Sequence, residues 1–235
     1  MKFFRKTRQK LISNGKFKKY LLYAVGEILL VMIGISLAFQ LDNWNENRVK
    51  ENTEVGYYKN IRAQIADDRD LVVEQLHFNN RYMAEFKYAN EILESDDKSR
   101  MDTLGLIVRN LTQYSDFDKK GNIYETLVNS GEVKLLHNHS IVKSIRELEE
   151  KYTYINRMEN IHYDATMRHV IIAISPILKF SNASVQNPDQ LYNYQFQNLV
   201  LSLIQIMTEK DKVYHEALNE IELITELIDD ELAPA

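Results

Sequence analysis

The chain has 235 residues, 29 of them basic and 34 acidic, with three Pro, seven Gly and no Cys. The missing cysteine excludes disulfides, thiolate metal sites and a lipid-modified N-terminal cysteine. Eight Lys or Arg and no acid precede Leu21, and Glu27 is the single charge up to Leu41. Residues 42–235 therefore hold 21 basic against 33 acidic side chains, and a balance of −12 argues against nucleic acid or anionic lipid as their main partner.

The basic tail, residues 1–20, carries Lys2, Arg5, Lys6, Arg8, Lys10, Lys16, Lys18 and Lys19. The run Leu21 to Leu41 follows it directly. At 1.5 Å per residue it makes a helix of roughly 31 Å, about the thickness of a bilayer's hydrocarbon core. Positive residues close to a span stay in the cytoplasm. Beyond Leu41 only Arg48 and Lys50 occur before Gly56, so the N-terminus is expected inside and residues 42–235 across the membrane. Tyr20, Tyr23 and Trp44 suit the aromatic belts of the two interfaces. Ser36-Leu37-Ala38 resembles a signal-peptide cleavage site, but the apolar run is too long for one, and an uncleaved anchor is expected.

Past the span, apolar residues recur at helical spacing and breakers are scarce, which predicts an all-α domain. Tyr58, Ile61, Ile65, Val72, Leu76, Met83, Phe86 and Leu93 mark one face of a long helix that ends near Ser95-Asp96-Asp97. A shorter helix is expected over Asp102 to Gln113 with Asp102 as N-cap. A loop from Tyr114 to Asn122 precedes a helix from Ile123 to Asn129, closed by Ser130-Gly131. Asn138 is placed to cap the next long helix, whose stripe is Ile141, Ile145, Leu148, Tyr152, Ile155, His162, His169 and Ala173. Ser175-Pro176 breaks it, because Pro removes a donor and disfavours helix at the residue before it. Ser181 to Asp189 reads as a loop, and a last helix is expected from Gln190 to Asp230. Its stripe is Phe196, Leu199, Leu203, Met207, Tyr214, Ala217, Ile221, Ile224 and Ile228. The economical architecture is one membrane helix followed by an antiparallel helical bundle.

Few side chains offer chemistry. Glu27 stands inside the span, where an ionisable group is a functional hypothesis by default. Gly26, Gly34 and Ala38 share one i, i+4 line through Leu30, and small residues so spaced let two helix backbones approach closely. These four residues are the expected contact surface of the membrane helix. His137 and His139, and His162 and His169, lack the spacing of a zinc site; the second pair reads as packed histidines on an apolar stripe. Asp67, Asp68 and Asp70 lack the Gly and terminal Glu of a calcium loop and read as a solvated face. No nucleophile elbow or phosphate-binding glycine loop occurs, so no enzymatic activity and no cofactor are expected.

Two segments carry a family resemblance. One runs from Lys2-Phe3-Phe4-Arg5-Lys6 through Lys18-Lys19-Tyr20-Leu21-Leu22-Tyr23-Ala24-Val25-Gly26-Glu27-Ile28 and Gly34-Ile35 to Asn43-Trp44-Asn45-Glu46. The other is Tyr124-Glu125-Thr126-Leu127 with Ser130-Gly131 and Leu135. Together they resemble a family of uncharacterised single-span inner-membrane proteins of Bacteroidota, built around a domain of unknown function. Asp42 departs from the Asn expected there. The resemblance implies an inner-membrane protein with a periplasmic bundle, and no activity. The expected role is a non-enzymatic envelope binding or scaffold protein, with the lipid bilayer and a second copy or another membrane protein as partners of the span. The alternative is an ion-coupled accessory subunit that uses Glu27.

Overall fold

The computed structural model describes residues 17–233, so the first sixteen residues of the basic tail lie outside the described ones. The chain divides into two compact units, residues 1–54 and 55–235. Helix α1 (Phe17–Glu94) supplies the apolar segment of the first and opens the second. In the first unit the apolar stretch is largely exposed, Leu22 at 75% and Leu30 at 73%, with Tyr23, Ala24 and Glu27 half-buried, and none of its most hydropathic window is buried. Among the described residues it is the one helix long and apolar enough to cross a membrane.

The second unit is helical, as its spacing predicts. After α1 come a 3₁₀ turn (Lys98–Arg100), α2 (Met101–Asn110), α3 (Ile123–Ser130), a second 3₁₀ turn (Glu132–Leu135) and α4 (His139–Ala165). A π-turn (Thr166–Val170) joins α4 to α5 (Ile171–Ile174). The chain ends with α6 (Pro188–Leu191) and α7 (Tyr194–Leu232). Asn138 caps α4 by accepting from the N–H groups of Ser140 and Ile141, and Gly131 closes α3 at φ 73°, a left-handed conformation that glycine adopts without a Cβ clash.

Several expectations need correcting. Asp102 is not an N-cap: α2 follows directly on the 3₁₀ turn, which Asp97 caps by accepting from Ser99 N–H. The 181–189 segment is more ordered than a loop. Its Ser184–Val185 strand (β2) pairs antiparallel with Leu178–Lys179 (β1), and Pro188 starts α6 under an Asn187 cap. That hairpin rests on α2 at Gly105, where a Cβ would come within 2.3 Å of the Ala183 carbonyl oxygen. The last helix is split as well. Asn193 turns its side chain to the Phe196 N–H (2.8 Å) and starts α7 afresh.

Two apolar clusters fill the second unit. One joins Tyr58–Leu76 of α1 to Ile141–Ile155 of α4 and Val213–Ile228 of α7. The other joins Phe86–Leu93 of α1 to α2, Val170 and Ile174, and Phe196–Met207 of α7. The order in which each helix visits the clusters sets its direction. α1 and α4 run from the first cluster to the second, and α7 returns antiparallel to both. The segment 111–136 must therefore travel back along the bundle before α4 can begin.

The π-turn changes which residues of this region face inward. The Ile171 N–H bonds the Thr166 carbonyl, an i+5 pairing that inserts one extra residue into the turn. The buried line continues His162, Thr166, Val170, Ile174 in steps of four. His169, expected on the apolar stripe, is exposed, and Ala173 is half-buried.

Candidate functional site: a polar layer inside the bundle

Between the two apolar clusters all three long helices carry polar side chains at the same level. Asn79 of α1 is fully buried, as are His162 of α4 and Thr166 just beyond it; Glu159 of α4 and Lys210 of α7 are 5% and 1% exposed. From the returning segment Ser115 joins them at 3%. Burying so many polar groups is tolerable only where they bond one another.

They form a directed chain. Lys210 Nζ donates to Ser115 Oγ, and the Tyr214 hydroxyl donates to Glu159 Oε1; both contacts are short. Because the Tyr214 proton is committed to Glu159, the Ser115 hydroxyl is the donor in its 2.9 Å contact with Tyr214. The order is thus ammonium, serine, tyrosine, carboxylate: a buried ion pair bridged by two hydroxyls. Glu159 Oε2 also accepts the Phe117 N–H at 2.8 Å. Asn79 Nδ2 donates to the Met207 carbonyl (2.9 Å), one turn before Lys210.

Electrostatics follow from burial. Burial pulls the Lys210 ammonium down to about 8, against the raising influence of Glu159 and Asp116. At neutral pH it is still mostly charged. Burial raises the Glu159 carboxyl, opposed by its bonds to Tyr214 and Phe117, and burial with the Glu159 charge raises the Tyr214 phenol. His162 Nδ1 lies 3.4 Å from Lys210 Nζ; the ammonium has no lone pair, so the imidazole accepts and its proton sits on Nε2. Burial, then the Lys210 charge, lowers His162 to about 3. Among the described residues, its Nε2 and the Thr166 hydroxyl one turn on have no hydrogen-bond partner.

A buried histidine held neutral ties stability to pH. Its folded value lies below the unfolded value near 6.5, so the unfolded chain binds the extra proton and stability is lost as pH falls below 6.5. His162 should cost about 2 kcal/mol by pH 5. Glu159 and Asp68, both raised by burial, run the other way. The measurement is therefore a difference. Urea unfolding of the wild type and His162→Gln at pH 7 and pH 5 should show the variant gaining on the wild type at the lower pH. An equal change in both chains would contradict a neutral buried imidazole.

Glu159 of this layer, together with polar side chains of α1 alongside the first cluster, holds the returning segment in place. Its backbone N–H groups are taken by side chains of α1 and α4: Asp116 by Gln75 (3.2 Å), Phe117 by Glu159, Lys120 by Asp68 (2.8 Å) and Ile123 by Gln64 (3.0 Å). Lys119 adds ion pairs to Glu149 (2.6 Å) and Glu125 (3.0 Å). Asp68, expected on a solvated face with Asp67 and Asp70, is instead fully buried as an acceptor for this segment. Its two neighbours are exposed.

A family model, for a family of unknown function (DUF6090), matches residues 27–209. The chain belongs to that family. The DUF6090 match takes in Glu27, Gly34 and Ala38, then Asn79, Ser115, Glu159, His162 and Thr166, and it ends one residue before Lys210. No curated protein and no solved structure gives a significant match.

The residues expected to form the contact surface of a membrane helix lie in the first unit, apart in sequence from the polar layer. Gly26, Gly34 and Ala38 are exposed and Glu27 is half-buried. A Cβ added at Gly26 or Gly34 would meet nothing within 4 Å, so the backbone is open along that line. Among the described residues no group of three or more His, Asp or Glu is placed to hold a metal.

Proposed function

We propose that this DUF6090 chain is a single-span protein of the inner membrane of a Bacteroidota cell, with its N-terminus in the cytoplasm and its helical domain in the periplasm. It acts there as a non-enzymatic binding or scaffold component that assembles through its span. The observation that supports this best is the exposed apolar helix. Leu21 to Leu41 leave some twenty residues of hydrocarbon-length surface uncovered, whereas both apolar clusters are filled from residues 57 onward. Water does not tolerate such a stretch; lipid does. The eight cations before it, against two between Asp42 and Gly56 after it, support the orientation.

Alkaline phosphatase fused after Ala235 should be active in cells, and the full-length chain should stay in the membrane through a carbonate wash. A C-terminus protected from protease in spheroplasts would overturn the orientation. A soluble product beginning near Phe39 would overturn the anchor.

A further inference from the structure

The π-turn leaves a groove of about 480 Å³ between itself and the junction of α6 and α7. Its apolar wall is built from Ile172, Pro176, Phe196 and Leu199. Phe196 is buried, whereas Ile172 is 67% exposed, so a shaped apolar surface faces solvent. Its basic side chains are Arg168 and His169, and no carboxylate lines it, in a domain whose balance is strongly acidic. Arg168 has one neighbour of opposite charge, Asp164, 3.5 Å from its Nε, and both side chains are largely exposed. The ends of the guanidinium stay available, and His169 makes no hydrogen bond or ion pair among the described residues. The side-chain amides of Gln190 and Gln195 complete the rim, likewise without hydrogen-bond partners.

The same extra residue that turns His169 outward thus sets a guanidinium and an imidazole beside an apolar wall and two free amides. Each feature selects a chemical group. A guanidinium pairs a carboxylate in bidentate fashion, carboxamides match the donors and acceptors of a peptide backbone, and the wall takes an apolar side chain. A free anion such as phosphate would use Arg168 and His169 and leave the rest idle. A C-terminal carboxylate on an apolar residue uses all three, a recurrent mode of peptide capture.

We propose that this groove holds the C-terminal end of a partner polypeptide, its carboxylate at Arg168 and His169 and its last, apolar side chain against Ile172, Pro176 and Leu199. This rests on the reading of the domain as a binding module and names the kind of partner it takes.

The test uses the full chain in lipid nanodiscs and fluorescence polarisation. The probes are labelled pentapeptides, alanine except at the last position, each made as free acid and as C-terminal amide. Peptides ending in Leu, Phe or Val as free acids should bind, and amidation or a terminal Lys should weaken them at least tenfold. Arg168→Glu, with an unchanged circular dichroism spectrum, should abolish the difference between acid and amide. Equal binding of acid and amide, no binding of any peptide, or indifference to Arg168→Glu would overturn the proposal. Those failures would leave topology and span assembly untouched, since they are read by fusion reporters and crosslinking.

Discussion

Glu159→Leu should destabilise the helical domain by about 3–5 kcal/mol, and adding Lys210→Met should restore much of the loss. A carboxylate removed from a buried pair leaves an ammonium with no countercharge, and the imbalance rather than the lost bond dominates the cost. Here the Phe117 N–H and the Tyr214 hydroxyl lose their acceptor at the same time, so the returning segment should loosen along with the core. Removing both charges relieves the electrostatic part. It leaves Ser115, Tyr214 and the Phe117 N–H to find new partners, so recovery should be incomplete. Urea unfolding of the solubilised chain, followed by circular dichroism, would give the four corners of the cycle. Additive effects of the two substitutions would mean that Glu159 and Lys210 do not act as a pair, and that the hydroxyl bridge carries no coupling.

The buried polar side chains were visible in the sequence as a set of gaps. Each long apolar stripe steps by seven at one or more points, from Ile65 to Val72, Leu76 to Met83, Ile155 to His162 and Met207 to Tyr214. A helix face does not skip a turn; at these four steps the missing position is occupied by something polar. Those positions hold Asp68, Asn79, Glu159 and Lys210, all buried. Reading stripes by apolar residues alone passes over them, and a single charge on a helix face looks like solvated surface until its counterpart on another helix is known. The pairing is a tertiary fact that local pattern does not contain.

The helices themselves were legible because their signals are local. Asn138 and Gly131 cap as their types require, and the break at Ser175-Pro176 falls where α5 ends. The π-turn was not legible. One inserted residue conflicts with no propensity, and only the change of inward line, from the expected His169 and Ala173 to Val170 and Ile174, reveals it. The short hairpin escaped for a related reason: two-residue strands carry no alternation to detect, and this one is specified by contact with Gly105. Direction was hidden as well, since nothing local says that residues 111–136 return along the bundle.

The proposed span carries the other large expected effect, and it separates assembly from ion coupling. Gly34→Leu adds an isobutyl group where the helix surface is open, on the line it shares with Gly26 and Ala38. If that line is a packing surface, backbones that approached closely are forced apart, and crosslinking of the chain to itself or to a partner span in membranes should fall severalfold. Glu27→Gln keeps the shape and the hydrogen-bonding capacity of the side chain and removes only its titration. A scaffold should tolerate it, with crosslinking close to wild type. A proton-coupled subunit should lose its activity in a complemented deletion strain while assembling normally. Normal crosslinking of Gly34→Leu together with an inactive Glu27→Gln would therefore replace the scaffold reading with the ion-coupled one. If neither change has any effect, the helix serves only as an anchor, and assembly through the span is wrong.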